Sequence, residues 1–215
     1  CMCFDVKTNI NTQLNRAVKN NPAVSNSLFD EASKAVPQNY YHVSGFSHPS
    51  MLIYTNEDPN KPILARWGLV PYWIKNKQDQ LSIWNKTLNA RCETIYQKPS
   101  FRASAKNKHC IIHLDGFYEH HHYKAKTYPF YIFQKENKPL SVAGLWSEWT
   151  DKETGEILNT FTIVTTQANS LLSKIHNHPK LPESRMPVIL KEEKEDSWLN
   201  AHSEKEMQAL FLPYA

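Results

Sequence analysis

The stretch CIIHLDGFYEHHHY, residues Cys110–Tyr123, decides how the chain is read. It runs apolar through Ile111 and Ile112, turns at Asp115-Gly116, and presents Glu119 between Tyr118 and His120. A short apolar run bounded by a turn pair reads as a strand. The same texture extends both ways, through YYHVSGF, MLIY and ILARWGL upstream and PFYIFQ, PLSVAGLW and LNTFTIVTT downstream, with EDPNKP, KENKP and DKETGE as turns. Ahead of these runs, Ile10, Leu14, Ala17 and Val18, then Leu28, Phe29, Ala32 and Val36, recur at helical spacing, predicting two short helices between residues 9 and 36. Near the end, ANSLLSKI and SEKEMQALF read as helices around a short strand PVIL, and KEEKED as a solvated helix start. No repeat or linker interrupts the pattern. The expectation is one α+β domain over residues 1–215, with curled antiparallel sheets forming a partial barrel and short flanking helices.

At 215 residues, with 40% hydrophobic and 21% charged residues, the composition is that of an ordinary globular protein. No apolar run approaches the roughly 18 residues of a membrane span, and the opening residues lack a signal peptide's pattern. A cytoplasmic, nucleoid-associated protein without membrane contact is therefore expected. Four cysteines (Cys1, Cys3, Cys92, Cys110) without a CxxC pair fit a reducing compartment. The net charge of +4 is unevenly spread: residues 66–108 hold nine basic and two acidic residues. Trp67, Tyr72, Trp73, Trp84, Tyr96 and Phe101 interleave with those cations. Cations alternating with aromatics suit a surface that grips phosphates and unstacked bases; a solvated face over core aromatics fits the same pattern.

Four places carry residues suited to chemistry. The chain as given opens CMCFDV, and a Cys with a free α-amine is a 1,2-aminothiol. Its amine has an ordinary pKa of about 7.7–8.0, so a neutral fraction can attack an aldehyde, and the thiolate can then close a five-membered thiazolidine. Glu119, flanked by aromatic and imidazole rings, is placed for a raised pKa and general-acid duty. His113, His120, His121 and His122 invite a metal reading, but consecutive strand residues alternate faces and no metal-binding spacing supports them. No metal and no cofactor are expected, and the histidines are assigned to a surface loop. In NARCET, Asn89 and Arg91 share a face if the segment is extended; in KIHNHPKLPESRMPVIL, His176 and His178 compete as proton carriers ahead of Arg185.

Taken in order, WGLVPYW, NARCET, DGFYEH and IHN…SRMPVIL behind Cys1 resemble the SOS-response-associated peptidase family, from residue 1 to about residue 190. The resemblance implies a β-rich fold and covalent capture of abasic sites in single-stranded DNA. By it, Cys1 is the crosslinking residue exposed by autoproteolysis, Asn89 orients it, Glu119 is the acid, and His176 promotes imine formation and reversal. Arg91 and Arg185 are implied to contact the nucleic acid, with Trp67 and Trp73 among the aromatics that stack on its bases. A weak lyase activity and a monomeric state go with that reading. The chain reads Cys1-Met2-Cys3-Phe4 where the family usually has Cys-Gly-Arg-Phe, and its loop from His176 to Arg185 is longer than in the shortest members. The alternatives are an N-terminal-nucleophile cysteine peptidase using the same four residues and a noncovalent single-strand binding module.

Overall fold

Five strands close on one another. In the computed structural model, which describes residues 4–37, 39–178 and 182–214, the two longest are β9 (Leu140–Thr150) and β10 (Ile157–Gln167). They form an antiparallel pair from Ile157 opposite Thr150 to Ile163 opposite Gly144. On its other edge β10 runs parallel to β4 (Ile63–Trp67), which continues through β3 (Ser50–Thr55) and β6 (His109–Leu114) back to β9. The predicted partial barrel is thus a closed five-strand ring, completed by the double pairing of β10. Gly144 marks a close approach within the ring: a Cβ there would lie 2.5 Å from Ile112 Cδ1 and 2.8 Å from the Thr162 carbonyl.

Strand β6 is buried along its whole length because both of its faces are covered. Cys110, Ile112 and Leu114 pack with Met51, Ile53, Trp67 and Phe161, while Ile111 packs with Ala143, Val164 and Trp198 beneath the C-terminal helices α6 (Glu195–Leu199) and α7 (Glu204–Gln208). Two-sided burial produces the unbroken apolar run seen in the sequence. Asp115-Gly116 then turns the chain out of the barrel into a second antiparallel sheet, ordered β2 (Asn39–Ser44), β1 (Asp5–Asn9), β7 (Gly116–Tyr123) and β8 (Lys126–Ile132). Asp115 fixes this corner by accepting from Asn9 Nδ2 at 2.9 Å and from the Thr12 hydroxyl. At Gly116 a Cβ would meet the Ile132 carbonyl at 2.4 Å.

Helices α1 (Ile10–Asn20) and α2 (Ser25–Ala35) fall where the periodicity placed them, burying Ile10, Leu14, Ala32 and Val36 against Leu52. Two further helices, α3 (Lys77–Trp84) and α4 (Arg102–Asn107), lie inside the basic stretch and had no sequence signal. Helix α3 buries only Gln80 and Trp84, too few positions to show a period.

The segment KEEKED is a helix start exposed at five of its six residues, as expected, and departs from expectation at one. Its fifth residue, Glu195, is buried, 2.6 Å from Arg16 Nη1, and accepts from Ser141 Oγ at 2.5 Å, with His113 Nε2 at 3.5 Å. Burial works to raise this carboxyl, but His113, Ser141 and Arg16 outweigh it and hold it at about 2. Because the folded pKa is depressed, the pair's contribution is present above the ordinary carboxylate pKa and fades as pH falls toward 2. Glu195→Ala, which leaves the buried Arg16 with the exposed Asp196 as its one remaining carboxylate partner beside the Pro59 carbonyl, is expected to cost about 3–5 kcal/mol by urea denaturation at neutral pH. The deficit should shrink in acid; an equal deficit at every pH would assign the loss to packing.

Candidate active site

Period-two alternation along β7 turns Phe117 and Glu119 inward and leaves Tyr118 and His120 partly exposed. Glu119 is 2% exposed, its Oε1 has no hydrogen-bond partner among the described residues, and burial raises its pKa to about 7. A carboxyl in that state is a proton donor near neutrality.

Facing it is His176, at the C-terminal cap of α5 (Ser170–Ile175). Asn169 caps the other end of α5, accepting from the Leu172 N–H at 2.8 Å. The His176 N–H closes the last turn onto Leu172 O at 2.7 Å. The imidazole Nδ1 lies 3.0 Å from the Arg185 carbonyl and 3.4 Å from the Arg185 amide nitrogen. Only one of these contacts can be satisfied, and the shorter one requires Nδ1 to carry the proton. Nε2 is then the lone-pair nitrogen, buried and without a partner among the described residues. Burial lowers the His176 pKa, keeping the ring neutral with its Nε2 lone pair available. Nδ1 stands 3.8 Å from Glu119 Oε2, too long for a hydrogen bond, so acid and base sit side by side without neutralising each other.

The docking of α5 onto β7 sets that spacing. Asn177 imitates a strand neighbour, accepting from the His122 N–H at 2.7 Å and donating to the His122 carbonyl at 3.0 Å, while His121 Nδ1 meets Lys174 O at 3.0 Å. The three consecutive histidines are therefore on a strand and not in a surface loop. His122 also takes an edge-on contact from His178 at 4.5 Å, so His178 lies against the strand while His176 lies beside Glu119. Among the described residues no group of three His, Cys, Asp or Glu side chains is arranged to hold a metal.

Asn89 and Arg91 begin and end β5 (Asn89–Arg91), which runs parallel to β10 opposite Ile163 and Thr165. Strand β11 (Arg185–Pro187) pairs with β10 at the same level, with Thr165 opposite Pro187. The segments NARCET and SRMPVIL, distant in sequence, thus meet around one end of β10. Cys1, Met2 and Cys3 lie outside the described residues.

The family model for SOS response associated peptidase (SRAP) matches residues 2–215. The chain belongs to that family. It is 40% identical over 185 residues to the abasic site processing protein YoqW of Bacillus subtilis, covering 83% of this chain and 77% of that one. It is 32% identical over 153 residues to the abasic site processing protein HMCES of Xenopus tropicalis, covering 62% of this chain and 43% of that one. A crystal structure of a protein from Bacteroides thetaiotaomicron superposes with a TM-score of 0.86 at 35% identity, covering 99% of this chain and 88% of the other.

In this SRAP chain, two of the residues read as nucleic-acid contacts are placed elsewhere. Trp67 has no exposed surface; it donates to Leu88 O at 2.8 Å and stacks on Phe161 within the barrel core, so it has no face to offer a base. Trp84 and Phe101 are likewise buried, leaving Tyr72 and Trp73 as the well-exposed aromatics of the basic stretch. Trp73 lines a groove with Lys75 and Lys86. Arg185 is 1% exposed, its guanidinium held by Glu93 and Glu183. Arg91 is more open, and Glu183 Oε1 lies 3.3 Å from its Nη1.

Proposed function

We propose that this chain processes abasic sites in single-stranded DNA by linking Cys1 covalently to the sugar aldehyde. The observation that carries the reading is the Glu119–His176 pair, a desolvated acid and a desolvated base held 3.8 Å apart beside the strand that leads to the N-terminus. Asp5 pairs with Tyr118, the neighbour of Glu119, and Phe4 stands only three positions from Cys1. An extended chain covers at most about 10–11 Å over that length. The names of the relatives support abasic sites as the target.

The chemistry then runs as follows. The neutral Cys1 amine adds to the C1′ aldehyde of the open sugar, and Glu119 protonates the hydroxyl that departs as water, leaving an imine. His176 Nε2 accepts the proton released by nitrogen, and the Cys1 thiolate adds to the imine carbon, whose electron pair returns to nitrogen and is protonated. One water is lost overall, and the product is a thiazolidine. The same acid and base suit removal of a residue ahead of Cys1, and the imine gives access to elimination of the 3′ phosphate. The groove of Trp73, Lys75 and Lys86 supplies stacking and phosphate neutralisation for the flanking strand.

The test is a denaturation-resistant shifted band. Oligonucleotides with one abasic site in a single strand should give it, intact strands should not, and abasic duplexes should give little, because a stacked duplex denies the aromatics access. Equal yields on all three would end the reading. Noncovalent binding to intact strands should weaken with salt at a log–log slope of about −0.7 per phosphate neutralised. A flat plot would remove the basic stretch from the interface.

A further inference from the structure

Arg185 is a cation without a surface. Its guanidinium pairs fork-to-fork with Glu93, Nη1 to Oε1 at 3.0 Å and Nη2 to Oε2 at 2.8 Å. Nη1 also meets Glu183 Oε1 at 2.8 Å, Nη2 donates to Thr165 O at 2.8 Å, and Nε lies 3.3 Å from Thr165 Oγ1. Bidentate pairing fixes position and angle together, which one point contact does not. Desolvation works to lower the pKa of Arg185 and to raise that of Glu93, yet each moves the other way because the partner prevails.

The backbone of the same residue faces the active site, since its carbonyl accepts the His176 Nδ1 proton at 3.0 Å. Arg185 opens a three-residue strand: Gln167 pairs it to β10, and just ahead of it the Ser184 carbonyl accepts from the Ala168 N–H at 3.0 Å while the Ser184 hydroxyl donates to the His176 carbonyl at 2.5 Å. A strand end held so briefly frays unless its side chain is anchored. Without the carbonyl at 3.0 Å, Nδ1–H would turn to Glu119 Oε2, already 3.8 Å away. That single rotation would tie up the acid and reorient the base.

We propose that Glu93 is a positioning residue: by clamping Arg185 at the head of β11 it keeps the Arg185 carbonyl on His176, fixing the Nδ1–H tautomer and leaving Nε2 free. Glu93 touches no reacting atom and acts through Arg185. The rate effect rests on the function proposed above, whereas the state of the ring does not.

The experiment uses protein labelled with ¹⁵N-histidine and long-range ¹⁵N–¹H correlation above pH 7, with the His176 resonances identified by their loss in His176→Gln. In the wild-type chain His176 should be one Nδ1–H tautomer. In Glu93→Gln the signature should become that of a mixture or of the Nε2–H form, and adduct formation should slow by about 10²-fold, as expected for a displaced base. Binding of intact single strands should stay unchanged, with melting temperature as the folding control. Glu93→Asp, which keeps the charge on a shorter arm, should recover the tautomer in part. An unchanged ring spectrum in Glu93→Gln overturns the proposal. If that spectrum comes with tighter single-strand binding, Arg185 is a phosphate ligand held in reserve by Glu93. If the wild-type protein forms no adduct, the function fails and the ring spectrum still decides the clamp.

Discussion

Glu119→Gln should slow adduct formation by about 10²–10⁴-fold and, at the same time, make the protein more stable above pH 7. The first effect follows from the chemistry, because an amide of the same shape cannot protonate the departing hydroxyl. The second follows from linkage. Burial raises the Glu119 pKa from 4.5 to about 7 in the folded protein. Between those values the folded state keeps a proton that the unfolded chain has lost, so stability falls as pH rises through the window. At 1.36 kcal/mol per pKa unit the whole fall is roughly 3 kcal/mol, and Gln escapes it. Urea denaturation at pH 5 and pH 8 should therefore show a gap between variant and wild type that opens at the higher pH. The loss of wild-type activity as pH climbs past about 7 should also vanish from the residual rate of the variant. A folded variant reacting at the wild-type rate would reduce Glu119 to a packing residue.

Such a residue was legible in the sequence because its neighbours were. Apolar and β-branched runs in β3, β6, β9 and β10 announced strands, since residues buried on both faces lose the polar alternation of a half-exposed strand. The β7–β8 hairpin did not announce itself: its turn is Lys124-Ala125, both at positive φ, with no Gly or Asn to signal it. For the same reason His120–His122 read as loop. Composition counted Trp67 and Trp73 alike as aromatics of a basic stretch, yet one is core and the other surface, a difference fixed by the β4 pairing and not by local pattern. Glu93 entered the sequence reading only as one of two acids diluting that stretch; its partner Arg185 lies 92 residues away. Glu195 was misread as solvated because its partner, Arg16, is 179 residues distant. Pairings of that range leave no periodicity, whereas Asn177, adjacent to the Ile175-His176 pair, stood in view without a feature to mark it.

The largest expected effect concerns Cys1. A chain carrying an uncleavable residue ahead of Cys1 should give no adduct, either directly or after borohydride trapping. Acylation converts an amine of pKa about 7.7–8.0 into a non-basic amide while leaving the thiol intact. Cys1→Ser, with its amine free, should behave differently: the imine forms, no thiazolidine closes over it, and a band appears only when the imine is reduced. Cys1→Ala should match it wherever processing still exposes the amine. Cys3→Ala should keep the full crosslink, since its backbone amide cannot form an imine. The geometry makes the contrast sharp. Gly45 N–H donates to Phe4 O at 2.6 Å, so the chain is anchored just past the end of β2, three positions from Cys1, and reach does not change with the substitution. A simple cysteine nucleophile would tolerate the extension, because its thiol is still present. An aminothiol does not, because imine formation precedes ring closure and needs the nitrogen lone pair. Full crosslinking by the blocked chain would therefore leave Glu119 and His176 without the amine they are proposed to serve, and the covalent mechanism would have to be rebuilt on sulfur alone.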